Sequence, residues 1–104
     1  MDYKYFTCET EGKIAWITYS KPPINAMNAE AYQEMAEVFR ENGKRKDIRC
    51  IILKAEGKGF IGGNDINEIA GHTKKNHAEY QAIVGSAIAA IQACELPVIA
   101  MVKG

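Results

Sequence analysis

Residues 50–66 read CIILKAEGKGFIGGNDI, an apolar run that leads directly into a glycine-rich stretch. The run is short, nearly continuous and rich in β-branched residues, which predicts a strand buried inside a covered sheet. Gly57, Gly59 and Gly62 fit the spacing G-x-G-x-x-G, which is typical of a dinucleotide-binding turn. The same bend can instead aim backbone N–H groups at a carbonyl oxygen. The stretch thus leaves two chemistries open, hydride transfer and enolate stabilisation.

The segments on either side predict three more strands. Residues 3–9 and 13–20 are short runs of β-branched and aromatic residues separated by a turn, which indicates a β-hairpin. Both alternating sets of side chains in the second run are mostly apolar, so we expect that strand to be covered on both faces. Residues 98–102, after Pro97, predict a last buried strand.

Two segments carry the apolar repeat of an amphipathic helix. Residues 29–42 follow Asn28, a favourable N-cap, and precede Gly43, which is placed to stop the helix. A second helix is predicted from about residue 77 to 94, with its apolar stripe formed by Tyr80, Ile83, Val84, Ala87, Ile88 and Ile91. Between the glycines and this helix, residues 64–71 have room for one or two helical turns, and residues 72–76 predict a polar loop. The order of elements indicates an α/β fold with right-handed crossovers.

Composition and charge exclude several classes of protein. The chain has 104 residues, 47% of them hydrophobic and 25% charged, as expected of a single globular domain. Its 13 basic and 13 acidic residues cancel, so neither nucleic acid nor an anionic membrane is predicted as a partner. No apolar stretch approaches the roughly 20 residues that span a bilayer, and the N-terminus does not resemble a signal peptide. We therefore expect a cytoplasmic protein.

The cysteines and histidines indicate no metal site. Cys8, Cys50 and Cys94 are far apart and odd in number, which favours neither a disulfide framework nor a zinc site. Each lies among apolar residues, so we expect three buried free thiols. His72 and His77 lie five positions apart in a polar stretch, which predicts surface histidines rather than metal ligands or a catalytic base.

The dinucleotide interpretation of the glycines meets two difficulties. It requires a helix that begins within the motif, but Gly71 interrupts the following segment. It also requires an acidic residue about 20 positions further on, where the chain has Ala82 and, nearby, Glu79 inside the predicted helix. A phosphate-binding P-loop is disfavoured because no G-K-[ST] follows. Taken alone, the glycines indicate no more than a tight turn after a strand.

Three motifs, in this order along nearly the whole chain, resemble the enoyl-CoA hydratase/isomerase family, also called the crotonase family. Residues 20–22 and 25–27 are similar to the family's N-R-P turn and N-A-M segment. Residues 60–65 are similar to its F-S-A-G-A-D segment, and residues 97–104 to its P-V-I-A-A-V-N-G strand. The resemblance implies a crotonase-like α/β spiral of β-β-α units. Residues 1–104 would be the N-terminal part of a single domain of this kind, truncated relative to the family.

The chain departs from these motifs at several positions. Ser20 replaces an asparagine, Ile61 a small residue, Gly62 an alanine and Lys103 an asparagine. None of these changes removes a chemical group that the motifs depend on, because the family uses the backbone there. The departures therefore leave the implied chemistry in place.

The resemblance implies an acyl-CoA-processing enzyme in which backbone N–H groups hold a thioester enolate. By position, the N–H of Asn64 would be one of the two oxyanion donors. Gly62 and Gly63 would let the backbone approach the ligand, because they have no Cβ. Coenzyme A would enter as part of the substrate, and no separate cofactor or metal is implied.

The same comparison implies a surface for coenzyme A. The segment of Asn25, Ala26 and Met27, together with Asp65 and Ile66 beside the oxyanion turn, would contact the adenine and pantetheine. Lys21 is placed to approach a CoA phosphate, although a lysine beside a turn is often only solvated. For Asp65, capping of the turn or of a short helix is favoured over catalysis.

The remaining parts of the family's site match positions beyond Gly104. These are the second oxyanion donor and the acid/base glutamates, so we expect the 104 residues alone to be inactive. The family also implies a homo-oligomer, a trimer or hexamer. The alternative functions are a non-catalytic CoA-binding or assembly module and, less favoured, a dinucleotide-binding domain.

Overall fold

The computed structural model describes residues 3–22, 25–57, 60–61 and 74–102. Within them, four strands form one sheet in the order β1-β2-β3-β4. The strands are β1 Phe6–Glu11, β2 Ile14–Tyr19, β3 Cys50–Ala55 and β4 Val98–Ala100, and the helices are α1 Ala29–Asn42 and α2 Lys74–Gln92. The predicted order of elements is confirmed.

The sheet combines one antiparallel hairpin with two parallel pairings. β1 and β2 are antiparallel and joined by a tight turn, in which Gly12 adopts a φ of 60° that disfavours a side chain. β2 and β3 run parallel, with Ile17 opposite Leu53, and β3 and β4 run parallel, with Ile52 opposite Ile99. Each parallel pair is connected through a helix, as a parallel pairing requires.

Both helices bury their apolar side against one face of this sheet. The same hydrophobic cluster contains residues of β2, β3, α1 and α2, and its fully buried members include Tyr19, Phe39, Ile17, Ile51, Val38 and Ala87. The opposite face is less covered, so β3 alternates strictly between buried and half-buried residues. The expectation that β2 and β3 are covered on both faces is therefore wrong for the described residues: only one face is packed by helices.

The prediction of a buried last strand is also wrong. β4 comprises three residues, and in the sheet formed by the described strands it pairs with β3 and lies at an edge. Ile99 is 52% exposed, and Val102, after the strand, is 71% exposed. An edge strand has a neighbour on one side only, so apolar composition by itself does not bury it.

Helix α1 has the predicted bounds and the predicted N-cap. The side-chain oxygen of Asn28 accepts a hydrogen bond from the N–H of Ala31 at 2.8 Å. Gly43 ends the helix, but its φ of −66° is open to any residue. The glycine is needed for close packing, because a Cβ there would lie 2.7 Å from Sγ of Cys94 and 2.8 Å from the carbonyl oxygen of Phe39.

Helix α2 differs from the prediction at its start and along its stripe. It begins at Lys74, so the predicted loop over residues 72–76 is wrong from residue 74 onward, where lysines favour helix as much as loop. Ala87 is fully buried, but Ile88 is 50% exposed. Ile88 lies about 100° further around the helix axis, away from the sheet. Ala90 is not part of the predicted apolar stripe, but it is buried.

The cysteine prediction is wrong for Cys8, which is exposed, and incomplete for Cys50 and Cys94, which are half-buried. Cys8 lies on β1, where every residue after Phe6 is exposed because β1 forms the other edge of the sheet. His77 is half-buried, and His72 lies outside the described residues, as do residues 64–71. Neither of the two described helices has the combination of length and hydropathy that a membrane span needs.

Candidate functional site

The carboxyl ends of the parallel strands β2 and β3 lie side by side, with Tyr19 opposite Ala55. The backbone pairing continues one step further, where the N–H of Glu56 donates to the carbonyl of Tyr19 at 2.9 Å. The segments that leave these two ends, residues 20–28 and 56–61, therefore meet at one edge of the sheet. In α/β sheets this edge is where ligands usually bind.

Asn25 joins these two segments. Its side-chain oxygen accepts a hydrogen bond from the N–H of Lys21 at 2.8 Å, which closes the first segment on itself. Its side-chain nitrogen donates to the carbonyls of Glu56 at 2.8 Å and Phe60 at 3.4 Å, which lie on the second segment. Asn25 is 6% exposed. Its φ of 56° lies in the left-handed region, which asparagine enters more readily than most residues.

Two tyrosines hold the backbone that follows Asn25. The hydroxyl of Tyr19 donates to the carbonyl of Ala26 at 2.7 Å, and the hydroxyl of Tyr80 on α2 donates to the carbonyl of Met27 at 2.9 Å. Ala26 is 8% exposed and Met27 is 2% exposed. A ligand at this turn would therefore meet backbone atoms rather than the methionine side chain.

A cleft of about 540 Å³ lies between the N-terminal segment and the loop after β2. It is lined by Tyr3, Lys4, Tyr5, Phe6, Thr7, Thr18, Ser20, Lys21, Pro22 and Glu56. The ammonium groups of Lys4 and Lys21 lie 5.3 and 6.0 Å from the centre of the Tyr5 ring. The cleft therefore has two cationic side chains around one aromatic ring.

The two lysines differ in their surroundings. Lys4 lies 3.4 Å from a carboxylate oxygen of Glu30, and contacts with Tyr5 and then with Glu30 raise the pKa of its ammonium group. Lys21 lies on the segment that Asn25 closes, and it is half-buried. The backbone N–H groups of Lys4 and Tyr5 donate to the carboxylate of Glu34 at 3.0 and 2.8 Å, which anchors this side of the cleft to α1.

The structure brings three of the predicted site residues, Lys21, Ala26 and Met27, to this edge of the sheet. The others, Gly62, Gly63, Asn64, Asp65 and Ile66, lie outside the described residues. Phe60 and Ile61, the last described residues before them, pack against the hydrophobic core. Among the residues that the structure describes, no group of three or more histidine, cysteine or acidic side chains is arranged to hold a metal ion.

Sequence reasoning missed two contacts at this site. The resemblance assigns Asn25 to the coenzyme A surface but does not predict its hydrogen bonds to Glu56 and Phe60, although asparagine is a common turn residue that tolerates the left-handed conformation. The predicted apolar stripe of α2 includes Tyr80, and no local pattern indicates that its hydroxyl reaches a carbonyl 53 positions earlier.

Known proteins match this chain over most of its length. The sequence profile of the family described as "Enoyl-CoA hydratase/isomerase" matches residues 9–104. A relative from Mycobacterium tuberculosis named "(7aS)-7a-methyl-1,5-dioxo-2,3,5,6,7,7a-hexahydro-1H-indene-carboxyl-CoA hydrolase" is 38% identical over 96 residues, which cover 90% of this chain and 38% of the relative.

Solved structures agree with the sequence matches. A crystal structure of an enoyl-CoA hydratase/carnithine racemase from Magnetospirillum magneticum is 28% identical and covers 99% of this chain and 40% of its own, with a TM-score of 0.91. The enoyl-CoA hydratase from Thermoplasma volcanium is 31% identical with a TM-score of 0.88, over 96% of this chain and 40% of its own. The expected crotonase-type α/β fold is thus confirmed, and the chain spans about two fifths of the length of these proteins.

Proposed function

Because this chain belongs to the enoyl-CoA hydratase/isomerase family, we propose that the protein processes an acyl-CoA thioester and stabilises the thioester enolate with backbone N–H groups. The observation that carries the proposal is the junction of residues 25–27 with residues 56–61 at the carboxyl-end edge of the sheet. This junction lies immediately before the glycines of the implied oxyanion turn. Coenzyme A enters as part of the substrate, and the reaction needs no separate cofactor.

The N–H of Asn64 is the proposed donor within this chain. When a base removes the α-proton of a thioester, negative charge develops on the carbonyl oxygen, and a fixed N–H directed at that oxygen stabilises it without reorganisation. The loss of one such donor typically costs about 3–4 kcal/mol of transition-state stabilisation. Gly62 and Gly63 supply the backbone freedom for a close approach.

The turn at Ala26 and Met27 is the proposed contact for the CoA moiety. Both side chains are buried, so the contact is assigned to the backbone, whose geometry Tyr19 and Tyr80 fix through hydrogen bonds to the two carbonyls. Asp65 and Ile66 complete the proposed binding surface by position. A homo-oligomer, trimeric or hexameric, is proposed from family resemblance.

Lys21 is the proposed partner of a CoA phosphate. It lines the cleft that opens beside the turn, and the closed segment between Lys21 and Asn25 holds its backbone in place. Lys4 lines the same cleft and lies beside Glu30. An ammonium group attracts phosphate as a point charge, and this attraction weakens with added salt.

A non-catalytic CoA-binding module is the second candidate function. It is favoured by the same contacts at Lys21, Ala26 and Met27, which require no acid or base. It predicts that the protein binds free CoA and acyl-CoA equally well. An enzyme of the proposed kind instead binds the enolate form more tightly than the ground state.

Titration of the full-length gene product with CoA, acetoacetyl-CoA and NAD separates these functions. The proposal expects acetoacetyl-CoA to bind more tightly than CoA and to develop the near-ultraviolet absorbance of its enolate, because that anion carries the charge that the donors stabilise. Equal binding of both CoA compounds without this absorbance would support the binding module. NAD binding without CoA binding would contradict both candidates.

A further inference from the structure

Both the side chain and the backbone of Asn25 form hydrogen bonds at the junction of residues 25–27 with residues 56–61. Its backbone N–H donates to the carbonyl of Lys21 at 2.9 Å, and its side-chain oxygen accepts from the N–H of Lys21 at 2.8 Å. The side-chain amide remains available as a donor to the second segment. One residue thus closes its own turn and reaches across to the neighbouring one.

The two carbonyls that Asn25 reaches belong to Glu56 and Phe60, on either side of positions 57–59 in the sequence. Glu56 follows the last residue of β3, and Phe60 lies four positions later, directly before Ile61. An amide nitrogen carries two N–H groups, so it can serve both carbonyls at once. The two bonds set how far apart the carbonyls of Glu56 and Phe60 lie.

The residue type suits this task for two separate reasons. A φ of 56° is difficult for most side chains, and asparagine and glycine are among the residues that accept it. Glycine would supply the backbone conformation without any of the side-chain bonds. Aspartate would supply the conformation and the acceptor for Lys21, but its carboxylate would face two carbonyl oxygens.

We infer that Asn25 is a positioning residue whose side-chain amide fixes Glu56 relative to Phe60 and thereby aligns the backbone at Phe60 and Ile61, which precedes the proposed oxyanion turn. The inference rests on the proposed function for its catalytic consequence. Its structural content, the fixing of Glu56 and Phe60 by the amide, stands independently of any ligand.

Three substitutions in the full-length gene product separate the two contributions of Asn25. In Asn25→Gly and Asn25→Asp, both of which accept the left-handed conformation, acetoacetyl-CoA should bind about tenfold more weakly and its enolate absorbance should fall, because a misaligned donor loses stabilisation steeply with distance. In Asn25→Asp, which keeps the acceptor for the N–H of Lys21, binding of CoA, which has no thioester carbonyl, should stay within about twofold. Asn25→Ala should show the same loss together with lower thermal stability.

Asn28→Ala is the matched control in the same segment. It removes the N-cap hydrogen bond to Ala31 and should lower the melting temperature without changing the preference for acetoacetyl-CoA over CoA. The control therefore shows whether a lower melting temperature is by itself sufficient to change the preference for acetoacetyl-CoA. If the control changes this preference as much as Asn25→Gly does, the inference is overturned.

Amide hydrogen exchange tests the inference even if the proposed function fails. Peptides that span residues 56–61 should exchange faster in Asn25→Gly and Asn25→Asp than in the unmodified protein, without any ligand. Unchanged exchange in both variants would overturn the inference. If the wild-type protein does not convert bound acetoacetyl-CoA to its enolate, the result counts against the proposed function alone. If the wild-type protein does so and both Asn25 variants do so equally well, the result overturns the positioning role alone.

Discussion

The hydroxyl of Tyr80 on helix α2 donates a hydrogen bond of 2.9 Å to the backbone carbonyl of Met27, 53 positions earlier in the chain. The Tyr80 ring also meets the ring of Tyr32 edge-on, with centroids 6.0 Å apart. A helix far along the sequence therefore holds the turn that is proposed to contact coenzyme A. The geometry of this turn depends on tertiary packing as much as on its own residues.

The Tyr80→Phe substitution should weaken this support. It removes the hydroxyl and leaves the buried carbonyl of Met27 without that donor, so we expect the free energy of unfolding to fall by about 1–2 kcal/mol. Urea denaturation followed by circular dichroism measures the change. A free energy of unfolding that stays within error of the unmodified protein would show that the hydrogen bond does not stabilise the fold.

The sequence was a good guide wherever one local signal was sufficient. The bounds of α1 follow from Asn28, from the apolar repeat and from Gly43, and β3 follows from a continuous apolar run. These signals act within a few residues of one another. Such local signals do not predict burial, because the burial of an apolar side chain depends on which other strands and helices pack against it.

Three residues show this limit. Ile99 has the composition of a buried strand but lies at an edge of the sheet, and Ile88 belongs to an apolar stripe but turns away from the core. Cys8 is flanked by Thr7 and Glu9 and lies on an edge strand whose side chains are mostly exposed, so its local sequence does not support the expected burial. For Ile99 and Ile88 the pattern is correct for the element, and the arrangement of elements determines the burial.

Part of the candidate site is predictable from the sequence, and part of it depends on the fold. Motif resemblance placed Lys21, Ala26 and Met27 at the carboxyl ends of the strands, where the structure has them. The hydrogen bonds of Asn25 to Glu56 and Phe60 required the fold, because they connect segments more than 30 positions apart. The roles of residues 62–66 stay predictions, since these residues lie outside the described part of the chain.

Gly43→Ala tests the close contact between the end of α1 and the segment after α2. The new Cβ would meet Sγ of Cys94 at 2.7 Å and the carbonyl oxygen of Phe39 at 2.8 Å, so we expect a loss of about 1–3 kcal/mol in unfolding free energy. Adding Cys94→Ala should recover part of this loss, because only one of the two clashes is removed. A double variant no more stable than Gly43→Ala alone would contradict the assigned contact.

Ala87 and Ile88 provide a matched pair on α2. Ala87 is fully buried, so Ala87→Leu should overpack the core and cost about 1–3 kcal/mol, whereas Ile88→Leu at a half-exposed position should change stability by less than about 0.5 kcal/mol. Thermal denaturation of both variants measures the difference. The reverse order of stabilities would mean that α2 presents a different face to the sheet.

Lys21→Ala tests the proposed phosphate contact. We expect the Kd for CoA to rise about fivefold, equivalent to about 1 kcal/mol, and the effect to shrink as salt is added. Binding of a pantetheine thioester, which lacks the nucleotide phosphates, should not change. Lys4→Ala serves as the comparison in the same cleft, and equal effects of the two substitutions would show a general charge effect rather than a contact at Lys21.

The most direct test of the central claim is the affinity of Asn64 variants for acetoacetyl-CoA in the full-length gene product. The Asn64→Pro variant lacks the backbone N–H, whereas Asn64→Ala keeps it and lacks only the side chain. For variants that circular dichroism shows to be folded and that still bind CoA, we expect Asn64→Ala to retain enolate binding and Asn64→Pro to lose it by about a hundredfold. Equal loss in both variants would contradict a backbone oxyanion donor and would assign the role to the asparagine side chain.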